Sequence, residues 1–359
     1  MIESATLGEI DVSLIITGTN VGSLRVVRQS LVWILASVLS LSVTQVAAAS
    51  SAYRVAVLLD KGGKDDKSFN AAAFKGTQEA EKKLGVKVKV LEGRDDNSAE
   101  PMLRSLASKR FDLIFAIGFS QAEAVRKVAA QFPDRHFVLV DSEIQAPNVA
   151  SVLFQEHEIG YLVGAMAGLT TKSGKVGFIG GMDIPLIRRF LMGYEAGVKS
   201  QRPKDKITIN FTGVTGEAWN NPPKGKELAI SQYDQGVDVV FAAAGATNMG
   251  VFDAAEERGK LAIGCDSNQN WVKPGFVLSS ALKRVDNAVY RMIEDGQKGV
   301  FHSGTVRYGL ADGGVDFALD DHNAKLLTPA VLAKLAKIKS DIVAGKVKVP
   351  DYYVVAKSK

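Results

Sequence analysis

From about residue 52 onward, two kinds of hydrophobic pattern take turns along the chain. Short apolar runs such as Val55-Ala56-Val57-Leu58-Leu59 and Phe137-Val138-Leu139-Val140 have no polar alternation, as expected of strands buried on both faces. Between them lie amphipathic stretches with helical spacing, for example Ala73, Thr77, Ala80 and Leu84 at i, i+4, i+7 and i+11. Strands are predicted over 54–59, 87–91, 113–117, 137–141 and 149–154, with helices near 70–84, 98–109 and 120–131. The pattern then restarts with helix 157–170, strand 175–180, helix 184–200, strand 207–213, helix 224–234, strand 238–243, helix 247–258 and strand 261–265. A less regular end follows, with strand 276–282, helix 285–297, strand 304–309, a short strand near 315–318 and a helix near 328–344. Strands alternating with helices of this length imply βαβ units, right-handed crossovers and parallel sheets. The restart implies two doubly wound, Rossmann-like lobes.

The first strand runs into a Gly-Gly turn at Gly62 and Gly63, then Asp65-Asp66-Lys67-Ser68-Phe69-Asn70-Ala71-Ala72-Ala73-Phe74-Lys75-Gly76. This loop follows the carboxyl end of a strand, where open α/β sheets place their ligands. It offers a carboxylate at Asp65, an amide at Asn70 and an aromatic face at Phe74, with Ser68 placed to cap the helix.

The N-terminal residues change the picture of location. Arg25 and Arg28 precede an apolar segment from Leu31 to Val46, closed by Ala47-Ala48-Ala49. That is the layout of a secretory signal peptide, and the apolar core is short for a membrane span. Residues 1–49 therefore read as an N-terminal extension plus signal peptide, cleaved near Ala49 to release a periplasmic protein. With no cysteine beside the cleavage site, no lipid anchor is expected.

Composition adds mainly exclusions. The chain of 359 residues suits two domains, and its net charge of +5 comes from scattered rather than clustered basic residues. Without a basic stripe interleaved with aromatics, nucleic-acid binding is not expected. The single cysteine, Cys265, rules out an internal disulfide and lies in the apolar run Leu261 to Cys265, as a buried residue would. The four histidines lack metal-ligand spacing. The first βα loop is not a dinucleotide fingerprint, and no phosphate-binding lysine motif, nucleophile elbow or metalloprotease helix occurs. No cofactor and no catalysis are expected. Two such lobes on an exported chain imply a clamshell that closes on a small ligand by hinge motion.

An ordered series of short motifs now becomes informative. Asp65 to Gly76 is followed by Ile117-Gly118-Phe119, Phe132-Pro133-Asp134, Phe137 to Asp141, Asn148 to Ser151, and Phe154-Gln155-Glu156. Then come Gly160 to Gly164, Gly177 to Gly181, Phe190 with Gly193, Tyr194 and Gly197, Ala243-Ala244-Gly245, Gly264-Cys265-Asp266, and Ser279 to Lys283. This series resembles the basic membrane protein (Bmp) family, the substrate-binding proteins of ABC importers related to a purine nucleoside receptor. The resemblance implies the type I periplasmic-binding-protein fold, with three crossovers near 155–157, 279–284 and 311–315. Lobe 1 would then comprise 50–156 and 282–312, and lobe 2 would comprise 157–281 and 313–359.

The resemblance also implies a protein that captures a purine nucleoside (guanosine, adenosine or inosine) and hands it to the membrane permease of an ABC importer, and with no heptads in the chain a monomer is expected. It implies a base clamped between Phe74 and Trp219 and hydrogen-bonded by Asp65, Asn70 and Asp141. The ribose would be held by Asp266 and Lys283, with Gly245 allowing close backbone approach and Ser120 beside the cleft. The residues alone leave second roles open. Phe74 could be core, Asp65, Asn70 and Asp141 could be caps, and Asp266 with Lys283 could form a buried ion pair. A receptor for another solute such as a sugar, or a nucleoside hydrolase, is the alternative function.

Overall fold

In a computed structural model, residues 52–93 and 97–357 are described. The predicted extension and signal peptide lie outside them. The described chain forms two six-stranded sheets flanked by helices.

The first sheet has the order β11-β5-β4-β3-β1-β2, built from β1 (Arg54–Leu59), β2 (Lys87–Glu92), β3 (Leu113–Ile117), β4 (His136–Val140), β5 (Val149–Phe154) and β11 (Gly304–Tyr308), all parallel. Period-two geometry explains its continuous apolar runs. Val55, Val57 and Leu59 join one core layer while Ala56 and Leu58 join the opposite one. Helices α1 (Phe69–Leu84) and α8 (Val285–Gln297) pack together on the first side. Helices α2 (Ala99–Ser108) and α3 (Ala122–Gln131) cover the second.

The second sheet has the order β12-β10-β9-β8-β6-β7, from β6 (Lys175–Met182), β7 (Lys206–Gly213), β8 (Val239–Ala243), β9 (Leu261–Asp266), β10 (Val277–Lys283) and β12 (Val315–Phe317). Only β12 is antiparallel to its neighbour. Helices α4 (Glu156–Thr170) and α5 (Pro185–Gln201) cover one face, and α6 (Pro222–Asp234) and α7 (Asn248–Arg258) the other. The α4–α5 pair packs backbone to backbone: a Cβ on Gly164 would lie 2.2 Å from the Tyr194 carbonyl oxygen. Helix α9 (Pro329–Val343) packs on α4, and α10 (Tyr352–Lys357) on α5.

The chain passes between the sheets three times: from β5 into α4, from β10 into α8, and from β11 into β12. This is the type I periplasmic-binding-protein architecture that the Bmp resemblance implies, built on the two parallel lobes expected from the strand–helix order. The short α10 has no counterpart among the predicted elements. Its six residues are too few to show helical periodicity.

Candidate functional site

The carboxyl ends of β1, β4 and β9 converge on a cleft between the lobes. Its wall includes Asp60, Asp66, Phe69, Asn70, Phe119 and Asp141 from lobe 1. From the other side come Ile187, Phe190, Trp219, Gly245, Cys265, Asp266 and Lys283. Asp141 and Asp266 adopt left-handed backbone angles, with φ 71° and 66°. Non-glycine residues rarely do so, and such strain is found where function needs a side chain re-aimed.

The first loop is built around Asp66. Its carboxylate accepts from the N–H groups of Ser68 (2.8 Å), Asn70 (2.9 Å) and Ala71 (2.9 Å), so Asp66 caps α1. Burial nevertheless pushes its pKa up to about 6, against those three donors. The expected cap, Ser68, is released for another task. Its Oγ donates across the cleft to Asp266 Oδ2 at 2.5 Å and to the Cys265 carbonyl at 3.1 Å. Ser267 Oγ donates to the Ser68 carbonyl (2.7 Å), Gln269 Nε2 to that of Lys67 (2.9 Å), and Lys61 pairs with Glu217 (3.1 Å). The lobes therefore meet along the edges of the cleft.

Six of the expected contact residues, Asn70, Asp141, Trp219, Gly245, Asp266 and Lys283, line one wall system. Asn70 is buried and accepts from the Asp60 N–H at 3.1 Å. Trp219 packs against Gly181, where a Cβ would come within 2.2 Å of the indole, and meets Phe119 of the other lobe edge-on at 6.3 Å. Gly245 has φ 63° and passes beneath Trp219.

Three expected residues do not line the cleft. Asp65 points to solvent and pairs with Lys64 at 2.6 Å, because its neighbour Asp66 takes the inward, capping position. Phe74 is replaced by Phe69. At roughly 100° per residue, positions five apart on a helix point roughly 140° apart, so both rings cannot face one cleft. Ser120 is exposed and donates to Asp60 Oδ2 at 2.9 Å, steadying a residue of the wall without joining it. Asp60 itself is absent from the expected contacts, although its place at the carboxyl end of β1 was a usable signal.

Deepest in the site is Lys283, whose ammonium is 2.6 Å from Asp141 Oδ2 and 3.1 Å from Glu156 Oε1. It also lies 5.2 Å from the ring centres of Phe69 and Phe154 and 5.9 Å from that of Phe190. Burial works against its charge, but Asp141, Glu156 and Asp266 outweigh burial and hold its pKa above the usual lysine value. Asp141 is pushed up to about 6 by burial; Lys283 opposes the shift, while Glu156 and Asp266 add to it. Asp266 is raised by burial as well. Two carboxylates thus contact one ammonium, and the charge of a third, Asp266, acts on it from farther away.

The sign of the resulting pH dependence is fixed. With a folded-state value above the ordinary 3.8, Asp141 holds its proton more tightly in the folded protein. Its contribution to stability is complete below about pH 4 and is lost as pH rises through about 6. The stability of the native protein relative to Asp141→Asn should therefore decline between about pH 4 and about pH 7. Urea midpoints of both proteins across that range measure it, and a constant difference would sink the assignment.

Residues 53–352 match the family described as ABC transporter substrate-binding protein PnrA-like, Bmp. The chain belongs to this Bmp family. One relative, the ABC transporter nucleoside-binding protein BmpA of Lactococcus lactis subsp. cremoris, is 35% identical over 83% of this chain and 89% of its own length. An uncharacterised lipoprotein of Pyrococcus horikoshii is 34% identical over 82% of this chain and 78% of its own. The crystal structure of an ABC transporter solute-binding protein from Aeropyrum pernix K1 superposes with a TM-score of 0.76 at 30% identity, covering 85% of this chain and 96% of that one. Bmp proteins bind substrates for transport and are not enzymes, which implies a small solute ligand and a transporter partner for this chain. No helix among the described residues is long and apolar enough to cross a membrane.

Proposed function

We propose that this Bmp protein captures a purine nucleoside by hinge closure and delivers it to the permease of an ABC importer. The observation that carries the reading is an aromatic ring from each lobe in one cleft with a buried charged floor. Phe69 of lobe 1 and Trp219 of lobe 2 line the same cleft as Asn70, Asp141, Asp266 and Lys283. A planar base suits the two rings, and its polar edge suits an amide and carboxylates. Vicinal hydroxyls suit a carboxylate and an ammonium, and Asp266 and Lys283 take those roles. The nucleoside-binding relative from Lactococcus supports the same ligand class.

Closure follows because ligand contacts come from both lobes, so only the closed form offers all of them to the ligand. The protein acts as a monomer in the periplasm after cleavage near Ala49.

Calorimetric titration with inosine, guanosine, adenosine, cytidine and ribose tests the ligand. Tight binding of the purine nucleosides, with cytidine and ribose far weaker, is expected. Preference for ribose alone would make the protein a sugar receptor, and silence toward all five would remove the nucleoside reading.

A further inference from the structure

Arg189 is the largest buried charge that ligand capture does not itself use. It projects from α5 toward the first crossover and is only 4% exposed. All five of its N–H groups have a destination. Nε and Nη2 form a two-point clamp on Asp351, at 2.8 and 2.9 Å. Nη1 donates to the Phe154 carbonyl and to Glu156 Oε2, and Nη2 faces His157 Nδ1 at 3.0 Å. Burial and the guanidinium both lower the pKa of His157, which keeps its ring neutral and able to accept. The Tyr353 ring stacks on the guanidinium at 4.6 Å. Asp351 also accepts from the Tyr353 N–H at 3.0 Å, so it begins α10 and fixes the ring in the same turn.

Glu156 stands between two cations. One oxygen meets Arg189 and the other lies 3.1 Å from Lys283, the floor of the cleft. A continuous line of charges therefore runs from Asp351 through Arg189 and Glu156 to Lys283 and Asp141. Asp351 gives Arg189 a carboxylate of its own. Without it, the guanidinium's whole charge falls on Glu156 and draws that carboxylate away from Lys283.

We infer that Asp351, in the C-terminal tail, is a positioning residue for the sugar-binding lysine, acting through Arg189 and Glu156. The inference rests on the nucleoside reading, in which Lys283 meets the ribose. It makes the tail part of ligand recognition although the tail itself lies behind the cleft.

Asp351→Asn removes the charge but keeps the shape and the acceptor for Tyr353. Inosine and its free base hypoxanthine are the probes, because only inosine carries a sugar for Lys283 to hold. Inosine affinity should fall about tenfold in Asp351→Asn while hypoxanthine affinity stays within about twofold, and Asp351→Glu should restore most of the loss. Equal weakening of both probes would mean that the tail sets only hinge or fold, and no change in either would mean that it sets nothing. Either result overturns the inference while leaving the nucleoside reading in place. Failure of the native protein to bind inosine overturns that reading and this inference together.

Discussion

Lys283→Met should abolish nucleoside capture and cost several kcal/mol of stability. Methionine keeps the length and apolar character of the stem among Phe69, Phe154 and Phe190 and removes only the charge. What remains is buried Asp141 and Glu156 with half-buried Asp266 nearby, and the ammonium whose charge acted on all three is gone. Removing one partner of a buried ion pair costs about 3–5 kcal/mol, because the group left behind is charged and unsolvated. The surviving carboxylates can escape that cost only by taking up protons. The deficit of the variant should therefore shrink as pH falls toward about 5, which distinguishes it from a simple packing defect. Urea unfolding at neutral and mildly acidic pH reads both effects. A variant with the native midpoint at neutral pH would show that the lysine is dispensable to the fold and that the carboxylates are already neutral.

Phe69→Ala should weaken nucleoside binding by roughly 1–3 kcal/mol, the range for loss of one base-stacking aromatic. Phe74→Ala should leave affinity near native. The contrast is informative because both rings lie in the same sequence motif, and only one can face the cleft from a helix. Phe69 is the first residue of α1 and lies 5.2 Å from the Lys283 ammonium, whereas Phe74 falls roughly 140° away around the helix. Titration of both variants with inosine decides the matter. A large loss in Phe74→Ala with none in Phe69→Ala would reverse the assignment.

Much of this protein was legible without coordinates. Strand and helix order follows from local periodicity, since an apolar run buried on both faces and a helical stripe differ in the residues themselves. The order of elements, with its restart after the fifth strand, was enough to imply two parallel sheets with a jointed hinge. Asn70 was within reach from its place in the first loop, and Asp141, Trp219, Gly245, Asp266 and Lys283 through the Bmp resemblance; all six lie in the first loop or at and just beyond strand ends. In such folds those positions converge on one cleft.

The direction of each side chain was another matter. Asp65 and Asp66 are indistinguishable by type, and the choice between them depends on which carboxylate can reach three backbone N–H groups. Ser68 has the chemistry of a helix cap but bonds Asp266, 198 residues away, because the packing of the two lobes places that acceptor beside it. Glu156, Arg189 and Asp351 carry no pattern that links them; they meet only where the first crossover, α5 and the C-terminal tail pack together. Periodicity reports which face of an element is buried, not which distant group waits there. The sequence by itself thus determined the architecture and the neighbourhood of the site. The tertiary structure decided which side chains enter the cleft and which buried charges stand behind them, because both depend on contacts between residues far apart in the chain.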